Sequence, residues 1–246
     1  MSYDLHGITV RKSNDLIQKS RFSLSLQQQK IILYIISKIK PQDKEFKEYE
    51  FTIKDFCQAC GIDSRNGTIY DEVKEAIKTI ADKSIWVKLE NGKETLLRWI
   101  EKASIENGTI KIRLDNDMKP YLLQLNKNFT MYELVWTLNF KSKYTIRLYE
   151  LAKSIHFNDW ESYSHIYSLS ELRTLLGAEK YTTFTNFRLR VLEPSIAEIN
   201  TISDKRIEYE IAEKQGKKIT HIKLKVSTLQ DFSEFHNRYR NLKGIK

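Results

Sequence analysis

Along residues 181–203, YTTFTNFRLRVLEPSIAEINTIS, apolar side chains recur at helical spacing. Wound at 3.6 residues per turn, Phe184, Phe187, Val191, Leu192, Ile196 and Ile199 fall on one broad side, as in a helix docked on a core. Thr183, Asn186 and Arg190 fall on the opposite side, which is uncharged or basic. The residues just before read as a short capped helix. Ser168 and Glu171 suit a capping box, and Gly177 suits a left-handed stop. Two alternating runs follow, Arg206 to Ala212 and Lys218 to Val226, with Ile207, Tyr209, Ile211, Ile219, Ile222, Leu224 and Val226 as their apolar positions. They are joined through Glu213-Lys214-Gln215-Gly216-Lys217, a basic-tipped hairpin. Helix, turn, helix, hairpin is the order of a winged helix, with the hairpin as its wing.

The first half has the same grammar. The pattern predicts an opening strand around Ile8 and Val10, a short helix over Asn14 to Lys19, and a strong helix over Leu26 to Ile39. A short strand, Tyr49 to Ile53, precedes a helix over Lys54 to Cys60 that stops at Gly61. A longer helix, Thr68 to Asp82, turns Ile69, Val73, Ala76, Ile77 and Ile80 inward. Ile85 to Leu89, Thr95 to Ile105 and Thr109 to Leu114 are predicted strands, with turns at Glu90-Asn91-Gly92-Lys93 and Glu106-Asn107-Gly108.

A constant shift of 116 residues lays one half on the other. It pairs Ile32 with Leu148, Ile35 with Leu151, Ile39 with Ile155, Phe51 with Tyr167, Ile53 with Leu169 and Phe56 with Leu172. It also pairs Val73 with Leu189, Ala76 with Leu192, Ile80 with Ile196 and Ala81 with Ala197. One register held over three helices and a strand argues for two copies of one unit. The expected fold is α+β, two tandem winged-helix domains: 1–125, 126–228, and a basic tail over 229–246. The copies differ outwardly. The long helix of the first presents Asp71, Glu72, Lys74, Glu75 and Lys78, a mixture of signs, where the second presents Thr183, Asn186 and Arg190. The second copy is therefore expected to read DNA sequence, and the first to make backbone contacts or dock protein.

Charge agrees. The 246 residues include 41 basic and 32 acidic side chains, net +9. Residues 1–125 hold 21 basic and 18 acidic, net +3, and the remainder holds 20 and 14, net +6. Two thirds of the excess lies in the half with the proposed reading helix, which fits a polyanion partner, although many basic proteins bind no nucleic acid. No apolar run reaches the ~20 residues of a membrane span and no signal-peptide core opens the chain, so a cytoplasmic protein without membrane contact is expected. Cys57 and Cys60 form no disulfide framework and lack a second CxxC or a nearby His ligand. The repeat aligns Cys60 with Leu176, so it reads as a buried thiol. The five histidines form no metal pair and there is no P-loop, which speaks against a nicking enzyme and against ATP-driven melting. Neither enzymatic activity nor a cofactor or metal is expected.

Two stretches, VRKSNDLIQKSRFSLSLQQQKIILYIISKI at Val10 to Ile39 and FTNFRLRVLEPSIAEIN at Phe184 to Asn200, resemble the plasmid replication initiators of the iteron-binding Rep family. The first carries a Ser-Asn-x-Leu-Ile step, then Leu-Ser-Leu and a long apolar helix. The second carries an Arg-Val-Leu-x-Pro core and a Glu-Ile-Asn end. The resemblance runs from about Ile8 to Val226. It implies a bacterial protein that binds directly repeated origin DNA (iterons), promotes origin opening, recruits the host initiator ATPase and replicative helicase, and represses its own gene. It further implies that the first domain serves dimerisation in one state and DNA contact in another, hence a monomer–dimer equilibrium. A tandem winged-helix repressor without a replication role and a protein-docking module are the alternative readings of the residues.

Among candidate DNA contacts, Arg190 suits a bidentate bond to guanine O6 and N7, against an intradomain salt bridge, and Asn186 suits adenine, against a solvated surface residue. Arg188, phased toward the apolar side, either reaches a phosphate or braces the fold. Thr182 and Thr183 suit helix capping together with phosphate contact, against helix capping alone. Lys214, Lys217 and Lys218 at the wing tip would track the backbone, against ordinary solvated lysines. Lys141 and Lys143, ahead of a helix over Tyr144 to Phe157, are further phosphate candidates. Pro194 lacks the amide that would bond Arg190 and is expected to bend the helix. Arg238, Arg240, Lys243 and Lys246 in the tail match no motif.

Overall fold

The computed structural model describes residues 7–63, 67–88, 92–156, 161–229 and 231–243. Glu90 and Asn91 of the predicted turn, Leu89 and Phe157 at predicted element ends, and Lys246 lie outside the described residues. The chain forms two compact units, Met1–Asn139 and Phe140–Lys246.

The first unit runs β1 (Thr9–Ser13), α1 (Asn14–Gln18), β2 (Ser20–Arg21), α2 (Leu26–Ile36), β3 (Tyr49–Thr52), α3 (Ile53–Ala59) and α4 (Ile69–Asp82). It continues through β4 (Ser84–Lys88), β5 (Glu94–Arg98), β6 (Ile100–Glu106), β7 (Thr109–Leu114), α5 (Lys119–Leu122), β8 (Phe129–Glu133) and α6 (Leu134–Asn139). Local chemistry sets the helix starts. Ser25 Oγ accepts from the Gln28 amide while Gln28 Oε1 accepts from the Ser25 amide, a complete capping box. Thr52 Oγ1 accepts from the Asp55 amide at the head of α3. Between α2, β3 and α3, Tyr34, Phe51 and Phe56 meet edge to face or tilted, with ring centroids 5.2–6.3 Å apart.

The second unit runs α7 (Lys143–Ile155), β9 (Tyr163–Ser168), α8 (Leu169–Leu176), α9 (Phe184–Phe187), a π turn (Arg188–Leu192), α10 (Glu193–Ile202), β10 (Lys205–Gln215), β11 (Lys218–Thr228) and α11 (Phe232–Lys243). Both units share the topology of one three-stranded sheet. β3 pairs with β7 and β9 with β11, and each hairpin partner lies on the far side, in the orders β3-β7-β6 and β9-β11-β10. Phe51 faces Ile110 across the first sheet and Tyr167 faces Ile222 across the second, so the aligned aromatic positions occupy equivalent places in the two ladders. These are two winged helices.

Three expectations change. The boundary moves from 125/126 to 139/140, because β8 pairs antiparallel with β1 and α6 buries Leu134, Val135, Trp136 and Leu138 in the first unit. The strand expected over Thr95 to Ile105 is two strands in two sheets. It breaks at Trp99, which is fully buried, after β5 has completed a hairpin with β4 that has no counterpart in the second unit. The tail forms α11, whose Arg238 donates to the Ser203 carbonyl at 2.8 Å. The cysteines divide as well. Cys57 is the buried thiol and Cys60 is half-buried, with burial raising the pKa of both.

Two polar clusters lock the second unit. Arg147 and Glu150 on α7 are buried and paired at 3.0 Å, and Arg147 Nε donates to the Leu175 carbonyl in the last turn of α8 at 3.1 Å. At the α10–β10 corner, Asp204 accepts from Tyr149 Oη at 2.7 Å and pairs with Lys153 at 3.0 Å. Burial pushes the Asp204 carboxyl upward, but Lys153, Lys205 and the Tyr149 hydroxyl outweigh it and hold the group below its ordinary 3.8. The resulting stabilisation is present above the unfolded carboxylate value and is lost as pH falls through the folded one. Asp204→Ala is accordingly expected to cost about 1.5–3 kcal/mol near pH 7, with its difference from the parent chain shrinking in acid. Urea unfolding of both chains at neutral pH and below pH 3 checks this, and a pH-independent gap would deny Asp204 its charge role.

Candidate nucleic-acid interface

The turn from α8 into α9 is built by Gly177, which ends α8 with a left-handed φ of 64°, and by Thr183, whose Oγ1 accepts from the Asn186 amide at 3.3 Å. Ser168 caps α8 in the same way through the Glu171 amide at 3.1 Å. The first turn of α9 carries no acid, whereas that of α4 carries Asp71 and Glu72. Acids there favour the helix dipole but would repel a phosphate. Asp71, Glu72, Lys74, Glu75 and Lys78 are all exposed on α4.

Phe187, Val191, Leu192 and Ile199 are buried, and Phe184 and Ile196 are half-buried. Thr182, Thr183, Asn186 and Arg190 are exposed. Arg190 has no ion-pair or hydrogen-bond partner among the described residues, so the intradomain salt bridge is not formed. Arg188 lies half-exposed, 3.7 Å from Glu193, which also accepts from Tyr209 Oη at 3.0 Å; of its two readings, this pairing favours the brace.

Pro194 changes the hydrogen bonding of the turn before it. Lacking an amide, it cannot bond the Arg190 carbonyl, and Glu193 N–H reaches back five residues to the Arg188 carbonyl. The resulting π turn widens the helix where the exposed residues sit, as such turns do at many functional sites. Leu189 is 50% exposed beside Arg190 and one turn from Asn186. The repeat pairs Leu189 with Val73, which is fully buried in α4. The unwound turn breaks that equivalence and adds an apolar residue to the outward face.

β10 and β11 close on Gly216-Lys217, with Gln215 facing Lys218 and Gly216 at φ 60°, the positive value that primed hairpin turns need. Lys214, Lys217 and Lys218 are exposed and unpaired among the described residues. Further down the wing Glu210 pairs with Lys223 at 3.0 Å and Glu213 lies 2.9 Å from His221, while the tip itself carries the three lysines. Between wing and helices lies an open cleft lined by Ser170, Arg173, Thr183, Thr185, Lys217 and Lys218, among others, and by no acidic side chain. Arg173 and Thr185 went unmarked in the sequence, because their place in this cleft depends on the α8–α9 turn.

Lys141 and Lys143 stand apart from this cleft. Lys141 is exposed, with its amide donating to Glu198 Oε1 at 2.6 Å, while Lys143 lies half-buried with its ammonium 5.0 Å from the Tyr144 ring centroid. Among the described residues no group of three or more His, Cys, Asp or Glu is placed to hold a metal, and no helix is long and apolar enough to cross a membrane.

Fold and surface together define a protein with two winged helices, the second carrying a lysine-tipped wing beside a cleft without acidic lining. Residues 9–153 match the family model described as initiator replication protein, WH1, and residues 168–226 match that described as initiator Rep protein, WH2. The chain belongs to this initiator Rep family. A replication initiation protein of Escherichia coli is 25% identical over 85% of this chain and 66% of its own length. The PI protein of Escherichia coli is 30% identical over 57% of this chain and 50% of its own. The matches thus span just under two thirds and one half of those relatives. Among solved structures, the Pi initiator protein in complex with iteron DNA superposes with a TM-score of 0.75 at 22% identity, covering 91% of this chain and 98% of that one.

Proposed function

We propose that this chain is a plasmid replication initiator that binds directly repeated origin DNA through its second winged helix. The carrying observation is the outward face of α9 and the π turn, where Asn186, Leu189 and Arg190 are exposed without an acidic neighbour in the first turn. Asn186, with one donor and one acceptor, suits the N7 and N6 edge of adenine, Arg190, with two donors, suits guanine O6 and N7, and Leu189 suits a thymine methyl. Thr182, Thr183, Lys214, Lys217 and Lys218 then hold the backbone on either side, with Lys141 and Lys143 as outlying phosphate contacts. Origin opening, recruitment of the host initiator ATPase and replicative helicase, and repression of its own gene rest on family membership.

For the first unit we propose phosphate-backbone contact with the adjoining duplex turn and protein contact, including self-association. Its extra hairpin exposes Trp86 and Leu96, which are cross-strand partners, and the outer face of α4 mixes both signs.

Nuclease protection by the full chain on DNA flanking its own gene tests the reading. With two winged helices each addressing about one duplex turn, protection is expected to recur at a period of roughly 20 base pairs. A single operator over the promoter would favour a repressor, and no protected site would remove DNA from the account. Lys217→Ala with Lys218→Ala is expected to weaken all duplexes alike and to flatten the salt dependence by about two. An unchanged slope would take the wing out of the interface.

A further inference from the structure

Arg173 on α8 stands out among the cations of the second unit. Its guanidinium lies 5.4 Å from the centroid of the Phe187 ring, which is fully buried at the end of α9. Its Nε is buried without an acceptor, and the side chain has no ion-pair or hydrogen-bond partner among the described residues. Burial lowers its pKa from the ordinary guanidinium value, and no nearby carboxylate offsets that. A cation taken partly out of water without an anion is costly to keep, unlike the lysines of the wing tip, which remain hydrated. The same side chain lines the cleft with Ser170, Thr183, Thr185, Lys217 and Lys218, so hydroxyls and cations from two helix starts and the wing converge where Arg173 lies. A fork of N–H donors ringed by hydroxyls and ammonium groups matches a tetrahedral, multiply accepting oxyanion.

We infer that Arg173 is a phosphate clamp: it binds one backbone phosphate of duplex DNA in the cleft between α8, α9 and the wing. Because its guanidinium rests on Phe187, the clamp fixes the angle at which the reading helix meets the groove. It acts as a positioning residue, carrying no sequence information itself. This inference rests on the second winged helix binding DNA.

The test uses the full chain, the fragment it protects, and an unrelated duplex of equal length. Arg173→Met keeps an aliphatic stem over Phe187 and removes the charge. It is expected to melt no lower than the parent and to bind both duplexes more weakly, with a salt slope lower by about 0.9. Methylphosphonate linkages, which are neutral, are then placed one at a time through the protected fragment. The parent is expected to lose affinity at each contacted phosphate, and Arg173→Met to share all of those losses except one, at the phosphate that Arg173 holds. Arg173→Gln serves the same comparison should Met not fold. Equal sensitivity of parent and variant at every phosphate, with equal slopes, overturns the clamp while leaving the DNA reading in place. A parent chain that binds neither duplex overturns the DNA reading itself.

Discussion

Replacing Glu150 by alanine is expected to destabilise the second unit by about 3–5 kcal/mol, the scale of breaking a buried ion pair from one side. Glu150 is 1% and Arg147 3% exposed at the side chain, so water cannot replace the lost carboxylate. The stranded guanidinium would keep its bond to the Leu175 carbonyl and would lose the charge that balances it. The pair ties α7 to the end of α8, and α8 ends at the turn that sets α9 in place. DNA affinity should therefore fall with the folded fraction, and the salt slope of the molecules that remain folded should be unchanged. Urea unfolding checks the size of the effect. A cost near that of an exposed pair, ~0.5 kcal/mol, would mean that the helices pack without it.

Arg190→Ala is the second large effect, and here loss comes without unfolding. The side chain is exposed and carries no internal partner, so thermal stability should hold. Affinity for the protected repeat is expected to fall by about 1–3 kcal/mol, and discrimination should relax at one base pair only. Binding measured on the repeat and on each single-base variant separates this from a phosphate contact, which would weaken every sequence alike.

What the sequence made legible was local. Amphipathic period, the Ser168 cap, the Gly177 stop and the alternating wing strands each depend on neighbours a few residues apart, and the structure follows them closely. The outward placement of Thr183, Asn186 and Arg190 follows from the same periodicity. Long-range pairing was not legible. β8 is a short strand whose partner, β1, lies at the other end of the unit, and α6 reads LVWTLN, apolar on nearly every side, so it has no amphipathic signature to find. The exposure of Leu189 was hidden for another reason. Its spacing fits the apolar stripe of an α-helix, and only the π turn that accommodates Pro194 turns it outward. Arg173 was hidden because its contact with Phe187 bridges two helices across the α8–α9 turn, a distance that no helical period describes.

Arg190 of the second winged helix is expected to meet a guanine edge in the major groove. Replacing each guanine of the protected repeat in turn by 7-deazaguanine removes the N7 acceptor and leaves pairing intact. The parent chain is expected to lose affinity at one guanine of the repeat, and Arg190→Ala to lose nothing further there. Equal losses for both chains at every guanine would contradict the account.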